Sequence, residues 1–250
     1  MPHSPERSGT PQQAAGFTLV EIAIVMVIIS LVFAGGLAGV KGFRDNATYT
    51  QADNYLQESR TALLGFALAQ GYLPCPDSDG DGVQDIEDIA SGETCTANAG
   101  TLPWSDLGLD SMPPWKAPII YAINAQATAA TCSNAGQSVC FFEDEQAPAF
   151  DLKTPPRAGS GGSGNLRVED SANAVVADNV IAVLISAGKN ARQTAAACAG
   201  VSADEIENCD GDTDFVMDIT RTSDADFFDD QLIWIHANTL KGQMRDAGIL

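Results

Sequence analysis

The sequence predicts an α+β fold: one long N-terminal α-helix packed on a small antiparallel β-sheet head, with the hydrophobic half of the helix protruding. Two observations carry that expectation. A helical pattern runs from about Phe17 to Gln70 and is closed by Gly71 and Pro74, residues that favour a helix C-terminus and forbid its extension. From Tyr72 the chain becomes rich in Gly, Pro, Asp and Cys, with short apolar runs of strand length, as expected of an antiparallel sheet laid against a helix.

The helix has two halves of different chemistry. Ile22 to Val40 is a run of 19 residues without a charge, about 28 Å as a helix, enough to cross a hydrocarbon core. Glu21 stands alone at its head. A carboxylate in hydrocarbon costs roughly 2.5–3.5 kcal/mol at a helix centre and less near an end, so Glu21 calls for a partner. The stretch before Gly16 is polar, carries Pro2, Pro5 and Pro11, and lacks the apolar centre of an ordinary signal peptide. A cut after Gly16 frees an α-amine on Phe17. That amine and Glu21 form a charge pair, within one chain or between chains stacked with an axial offset. The plainer reading is a capping box, Thr18-x-x-Glu21, and both hold in different states. Further along, Ala52, Leu56, Leu63, Phe66 and Ala67 share one face, with Gln51, Asp53, Gln57, Glu58 and Arg60 around them. This half is expected to pack on the head. The apolar half has no partner within the chain and must find lipid or sister subunits. The expected organisation is therefore a leader over 1–16, an apolar half-helix over 17–43, an amphipathic half-helix over 44–71 and a head over 72–250.

Within the head, strands are expected at Ile119–Ile123, Val175–Ile185, Phe215–Ile219 and Leu232–Ile235, with a C-terminal helix from about Asn238. Residues 159–164, Gly-Ser-Gly-Gly-Ser-Gly, read as a flexible loop. All six cysteines, Cys75, Cys95, Cys132, Cys140, Cys198 and Cys209, lie beyond the apolar run. An even count on an exported side reads as disulfides, with 15 possible pairings. Closure of short loops favours Cys75–Cys95, Cys132–Cys140 and Cys198–Cys209.

Composition removes several function classes. Thirteen basic against 33 acidic residues give a net charge of −20, which repels nucleic-acid phosphates and attracts divalent cations. Only two histidines are present, His3 and His236, which disfavours a His-based triad or a multi-His metal site. Ser186 lacks a Gly-x-Ser-x-Gly setting, and nothing marks a carboxylate-lined cleft. The chain is not expected to be an enzyme.

Two acidic segments carry metal-like spacing. Asp77, Asp79, Asp81, Asp85 and Asp88 stand at positions 1, 3, 5, 9 and 12 of a calcium loop, with Gly82 at position 6 and the Val83 carbonyl at position 7. A lone Ca2+ loop is expected there, with a solvated acidic turn as the alternative. The second segment, Asp210, Asp212, Asp214 and Asp218, repeats the 1-3-5-9 spacing but has Phe215 at position 6. Asp224, Asp226, Asp229 and Asp230 follow.

Gly16-Phe17-Thr18-Leu19-Val20-Glu21 followed by a long apolar helix resembles the prepilin motif of type IV pilins and type II secretion pseudopilins. The resemblance implies that a prepilin peptidase cuts after Gly16 and methylates the amine of Phe17. It also implies that Glu21, the fifth mature residue, guides assembly. Type IV pilins often place a helix-breaking proline in the apolar half, where this chain has Gly35, Gly36 and Gly39. The leader departs mildly, with Arg7 its one firm positive charge. Tyr72-Leu-Pro-Cys-Pro-Asp77, Trp115-Lys-Ala-Pro118 with Tyr121, Ser186-Ala-Gly188-Lys-Asn190 and Asp229-Asp230-Gln-Leu-Ile-Trp234 are similar to motifs of one branch of pilin-like proteins. Likeness to major pseudopilins, which bind calcium just before a related Asp-Asp segment, makes Asp229 and Asp230 a second metal candidate. The carbonyls near Gly188 to Asn190 are then possible helpers.

The resemblance implies a structural subunit, major or minor, of a type IV pilus or related filament. A pseudopilin of a secretion machine and a pilus-tip adhesin are the alternatives. Its partners would be prepilin peptidase and other pilins. Its place would be the bacterial inner membrane before assembly, then a cell-surface or periplasm-spanning filament.

Overall fold

A computed structural model of the chain describes residues 18–70, 73–89, 92–111, 113–123, 166–191, 202–221 and 226–248, but not the side chains of 34–43, 87–89, 92–94 and 179. Gly16, Phe17, Cys132, Cys140, Cys198 and the loop at 159–164 lie outside these residues. The chain divides into two compact units, Met1–Ala47 and Thr48–Leu250.

Helix α1, Leu19–Gln70, is 52 residues long. Its start is capped as the Thr18-x-x-Glu21 pattern predicts: Thr18 Oγ1 accepts the Glu21 N–H at 3.3 Å. It continues through Gly35, Gly36 and Gly39, so these glycines do not break the helix. Their cost of about 1 kcal/mol each is small against the gain from a helix of this length. In the first unit, the large apolar side chains described from Leu19 to Phe33 are 44–89% exposed. Among the described residues no helix is long and apolar enough to cross a membrane. The side chains of 34–43, which complete the run, are not among them.

In the second unit, α1 buries Ala52, Leu56, Ser59, Leu63 and Ala67, the helical spacing of one stripe. Tyr55 and Leu64 flank it, and Phe66 is only half-buried. The Ser59 hydroxyl is satisfied in place by donating to the Tyr55 carbonyl at 2.7 Å.

The sheet is built around one long strand. The described strands are β1 (Ile86–Ile89), β2 (Gly92–Cys95), β3 (Ala99–Thr101), β4 (Ile120–Ile123), β5 (Leu166–Glu169), β6 (Val175–Ser186), β7 (Asp214–Val216) and β8 (Gln231–His236). β1 and β2 form a separate hairpin. The six-stranded sheet runs β3-β4-β6-β5-β7, and β8 also pairs with β6. The pairings are antiparallel except β5 with β7, which is parallel. The expected all-antiparallel sheet is corrected at that edge. The chain passes through β6 and a five-residue helix, α2 (Ala203–Glu207), between those two strands. A connection of that length permits a parallel pair.

β6 reads as a nearly continuous apolar run because both of its faces are covered. Ile181 and Leu184 join the stripe of α1, Tyr121 and Ile123 of β4, and Leu240 and Met244 of α3 (Ala237–Asp246) in one cluster. Val180, Val183 and Ile185 join Leu166, Val168 and Phe215 in a second cluster. The buried Tyr121 hydroxyl donates to the Pro74 carbonyl at 3.0 Å, which pins the chain as it leaves α1. Cys75 and Cys95 form a disulfide across 20 residues, the first of the three expected pairs. Cys209 is also disulfide-bonded.

Candidate functional site

Three constellations carry the chemistry. The first is the head of α1, where Glu21 is the only charge described between Thr18 and Phe33. Its N–H is committed to Thr18. The Phe17 amine, its expected partner, and Gly16, the expected cut site, lie outside the described residues.

The second is the loop after Cys75. Asp77 is 1% exposed, and its carboxylate gathers the turn. Oδ1 accepts the N–H groups of Asp79 and Gly80, and Oδ2 accepts the Gly82 N–H and the Thr101 hydroxyl. Asp77 and Thr101 also exchange backbone hydrogen bonds at 2.9 and 2.7 Å. Gly82 meets two demands. Its φ is +87°, and a Cβ there would fall 2.2 Å from the Trp104 ring. The Asp77, Asp79 and Asp85 carboxylates approach within 4.8 Å of one another. Asp85 accepts from both the N–H and the hydroxyl of Ser78; these bonds hold its carboxyl below the usual range.

Of the six expected ligands, Asp77, Asp79 and Asp85 converge among the described side chains. Asp81 is outside the converging group, and its Oδ1 caps the Val83 N–H at 2.8 Å. Asp88 falls in β1 opposite Glu93, and its side chain is not among those described.

The third constellation joins distant parts of the head. Asp229 and Asp230 precede β8 and are buried, with Glu205 of α2 beside them. The Asp229 N–H donates to Glu205 Oε1 at 3.1 Å, and Asn190 Nδ2 donates to Glu205 Oε2 at 2.7 Å. Asp229 Oδ2 accepts the Lys189 N–H and the Tyr49 hydroxyl, both at 2.9 Å. Asp230 Oδ2 accepts from Asn208 Nδ2 at 2.8 Å. Loss of water pushes all three carboxyls up. Asp230 is pushed to about 7 by burial, with the charges of Glu205 and Asp229 adding to it. The Ser186-to-Asn190 motif acquires a physical reason: Gly188 has φ +57°, and a Cβ there would lie 2.1 Å from Asp229 Oδ1.

The other acidic run does not stay together. Asp214 is drawn to Arg167 at 2.6 Å and Asp218 to Arg221 at 3.1 Å. Asp210 and Asp212 instead approach Glu207. Sequence reasoning missed Glu205 and Tyr49. Glu205 sits in a five-residue helix without periodicity, and only Ser202 at its N-cap, accepting the Glu205 N–H at 3.4 Å, hints at α2.

Residues 12–37 match the family model described as the prokaryotic N-terminal methylation motif. The match takes in Gly16, Phe17, Glu21 and the first part of the apolar run. No curated protein and no solved structure matches the chain.

Gly82 and Gly80 separate backbone strain from overlap. Both have positive φ, +87° and +85°, but nothing lies within 4 Å of a Cβ at Gly80. Gly80→Ala is expected to cost about 1–2 kcal/mol from backbone strain. Gly82→Ala is expected to cost about 1–3 kcal/mol more, because Trp104 must move. Thermal melts of the two variants test this, and equal losses would show that Trp104 does not constrain the loop.

Proposed function

With the prokaryotic N-terminal methylation motif at residues 12–37 as premise, we propose that this type IV pilin-like prepilin peptidase substrate is a subunit, major or minor, of a type IV pilus or related filament. The peptidase cuts after Gly16 and methylates the amine of Phe17. The observation that carries the reading is the exposed apolar surface of α1. Twelve large apolar side chains between Leu19 and Phe33 are 44–89% exposed. Each gains about 1.5–3 kcal/mol on leaving water, which together outweighs the few kcal/mol that one carboxylate costs in an apolar setting. Lipid covers this surface before assembly and sister helices cover it afterwards. Between sister helices, packing and pairing of polar groups decide the arrangement, since lipid is as apolar as the side chains. Glu21, paired with the Phe17 amine of a neighbour, then sets the axial register.

Calcium at the Asp77 loop belongs to the same reading. Asp77, Asp79 and Asp85 supply hard oxygen ligands, and Gly82 lets the backbone close under Trp104. A bound ion would offset the repulsion among these carboxylates and stiffen the segment from Thr101 to Trp104. Chelation is expected to lower the melting temperature of the full chain in detergent, and Asp79→Asn with Asp85→Asn to remove most of that response. A response undiminished in the double variant would remove calcium from this loop.

Glu21→Ala tests the register role. Cleavage after Gly16 is expected to persist, since the cut site is intact. Incorporation into sheared filaments is expected to fall by about tenfold or more, the effect of losing about 1.4 kcal/mol of pairing. Normal incorporation would exclude Glu21 from assembly.

A further inference from the structure

Three stretches of the head, at Trp115, at Lys189 and at Asp229 to Gln231, meet on one residue of α1, Tyr49. The Tyr49 hydroxyl donates to Asp229 Oδ2 at 2.9 Å, and Gln231 Nε2 donates to the Tyr49 carbonyl at 3.2 Å. These two partners lie 180 and 182 residues away in the chain. The Trp115 ring stands edge-on to the Tyr49 ring, with 4.9 Å between centres. The Lys189 ammonium lies 5.9 Å from the centre of the same ring, within reach of a cation–π attraction.

The place of Tyr49 on the helix gives these contacts a purpose. It precedes Ala52 by three residues and so continues the buried stripe by one turn. Ala52 is buried, Tyr49 is half-buried, and the compact unit that holds the head begins at Thr48. Local opening starts where few apolar groups are buried, which is this end of the stripe. The head meets it with directional contacts. Gly188, at φ +57°, lets its turn come so close to Asp229 that a Cβ would overlap the carboxylate. The Lys189 N–H thereby reaches Asp229 Oδ2, the atom that also accepts the Tyr49 hydroxyl. Gln231 keeps Nε2 on the Tyr49 carbonyl although its Oε1 is left buried without a partner. Turning that amide over would set oxygen against oxygen, so Tyr49 fixes its orientation.

We propose that Tyr49 is a clasp that closes the head onto α1, and that the head-bound part of the helix opens from this end only when the clasp lets go. Apolar burial is non-directional and tolerates small shifts. Hydrogen bonds are directional, so the bonds at the Tyr49 hydroxyl and carbonyl fix the helix against sliding and turning on the sheet. The clasp joins α1 to the segment before β4, to the 3-10 turn Gly188–Asn190 and to the start of β8. Gly188 acts through Asp229 as a positioning residue. The clasp works within one chain, whether or not that chain enters a filament.

Hydrogen exchange of the full chain in detergent tests the clasp with two variants that cut it at different atoms. Tyr49→Phe keeps the ring and removes the hydroxyl bond. Gln231→Ala removes the bond to the Tyr49 carbonyl and leaves Asp229 in place. Each is expected to speed exchange of the α1 amides from 50 to 56 by about tenfold, the effect of about 1.4 kcal/mol. The β6 amides from 181 to 185 are expected to keep their rates, because neither change touches the core around them. Unchanged rates at 50 to 56 in either variant would overturn the inference. Equal acceleration of the β6 amides would overturn it too, since that marks a general loss of stability and not a local opening.

Discussion

The rest of the structure depends on one helix answering to two environments. From Ala52 to Ala67, α1 buries a narrow stripe against the sheet and leaves polar groups around it. From Leu19 to Phe33 the same helix presents large apolar groups all round, with Glu21 the one charge. A helix polar on one side is stable on a globular domain, whereas one apolar on every side needs a surrounding apolar phase. Because α1 is a single element, the head is joined covalently to a segment whose described large apolar side chains are exposed. The N-terminal methylation motif, residues 12–37, takes in most of that segment, so the proposed filament reading places processing and burial on the same residues.

The acidity of the head is managed locally. Asp77, Asp79, Asp81, Asp170, Asp210 and Asp212 accept N–H groups a few residues ahead of them. Such turns let a chain of net charge −20 fold without a matching set of cations, since each peptide N–H supplies a fixed partial positive charge. Arg167 and Arg221 each serve two acids. Even so, carboxylates converge at Asp77, at Glu207 and at Asp230.

Much of the fold was legible in the sequence where periodicity is strong. α1 ends at Gln70 as Gly71 and Pro74 dictate, β6 covers the apolar run from Val175, and β4, β8 and α3 lie within two residues of expectation. The short strands β1, β2, β3 and β5 escaped because each is only three or four residues long, too short to show a sustained alternation. β7 ends at Val216, short of the expected Ile219, and Asp218 pairs with Arg221 beyond it. At the sites, spacing singled out the acids of the Asp77 loop, of which Asp77, Asp79 and Asp85 converge, while Asp81 accepts the Val83 N–H and Asp88 lies in a strand, arrangements that spacing alone does not encode. Asp229 and Asp230 were legible only through resemblance. Their neighbours Glu205, Asn190 and Tyr49 come from distant parts of the chain, and only tertiary structure brings them together.

The central claim is that the chain is cut after Gly16 and then buries α1 among sister helices. Mass spectrometry of the chain recovered from material sheared off the cell surface tests it most directly. The account predicts a protein that begins at Phe17, carries a methyl group on that amine and sediments with filaments. A chain that keeps residues 1–16 and is found as a monomer in water without detergent would contradict it.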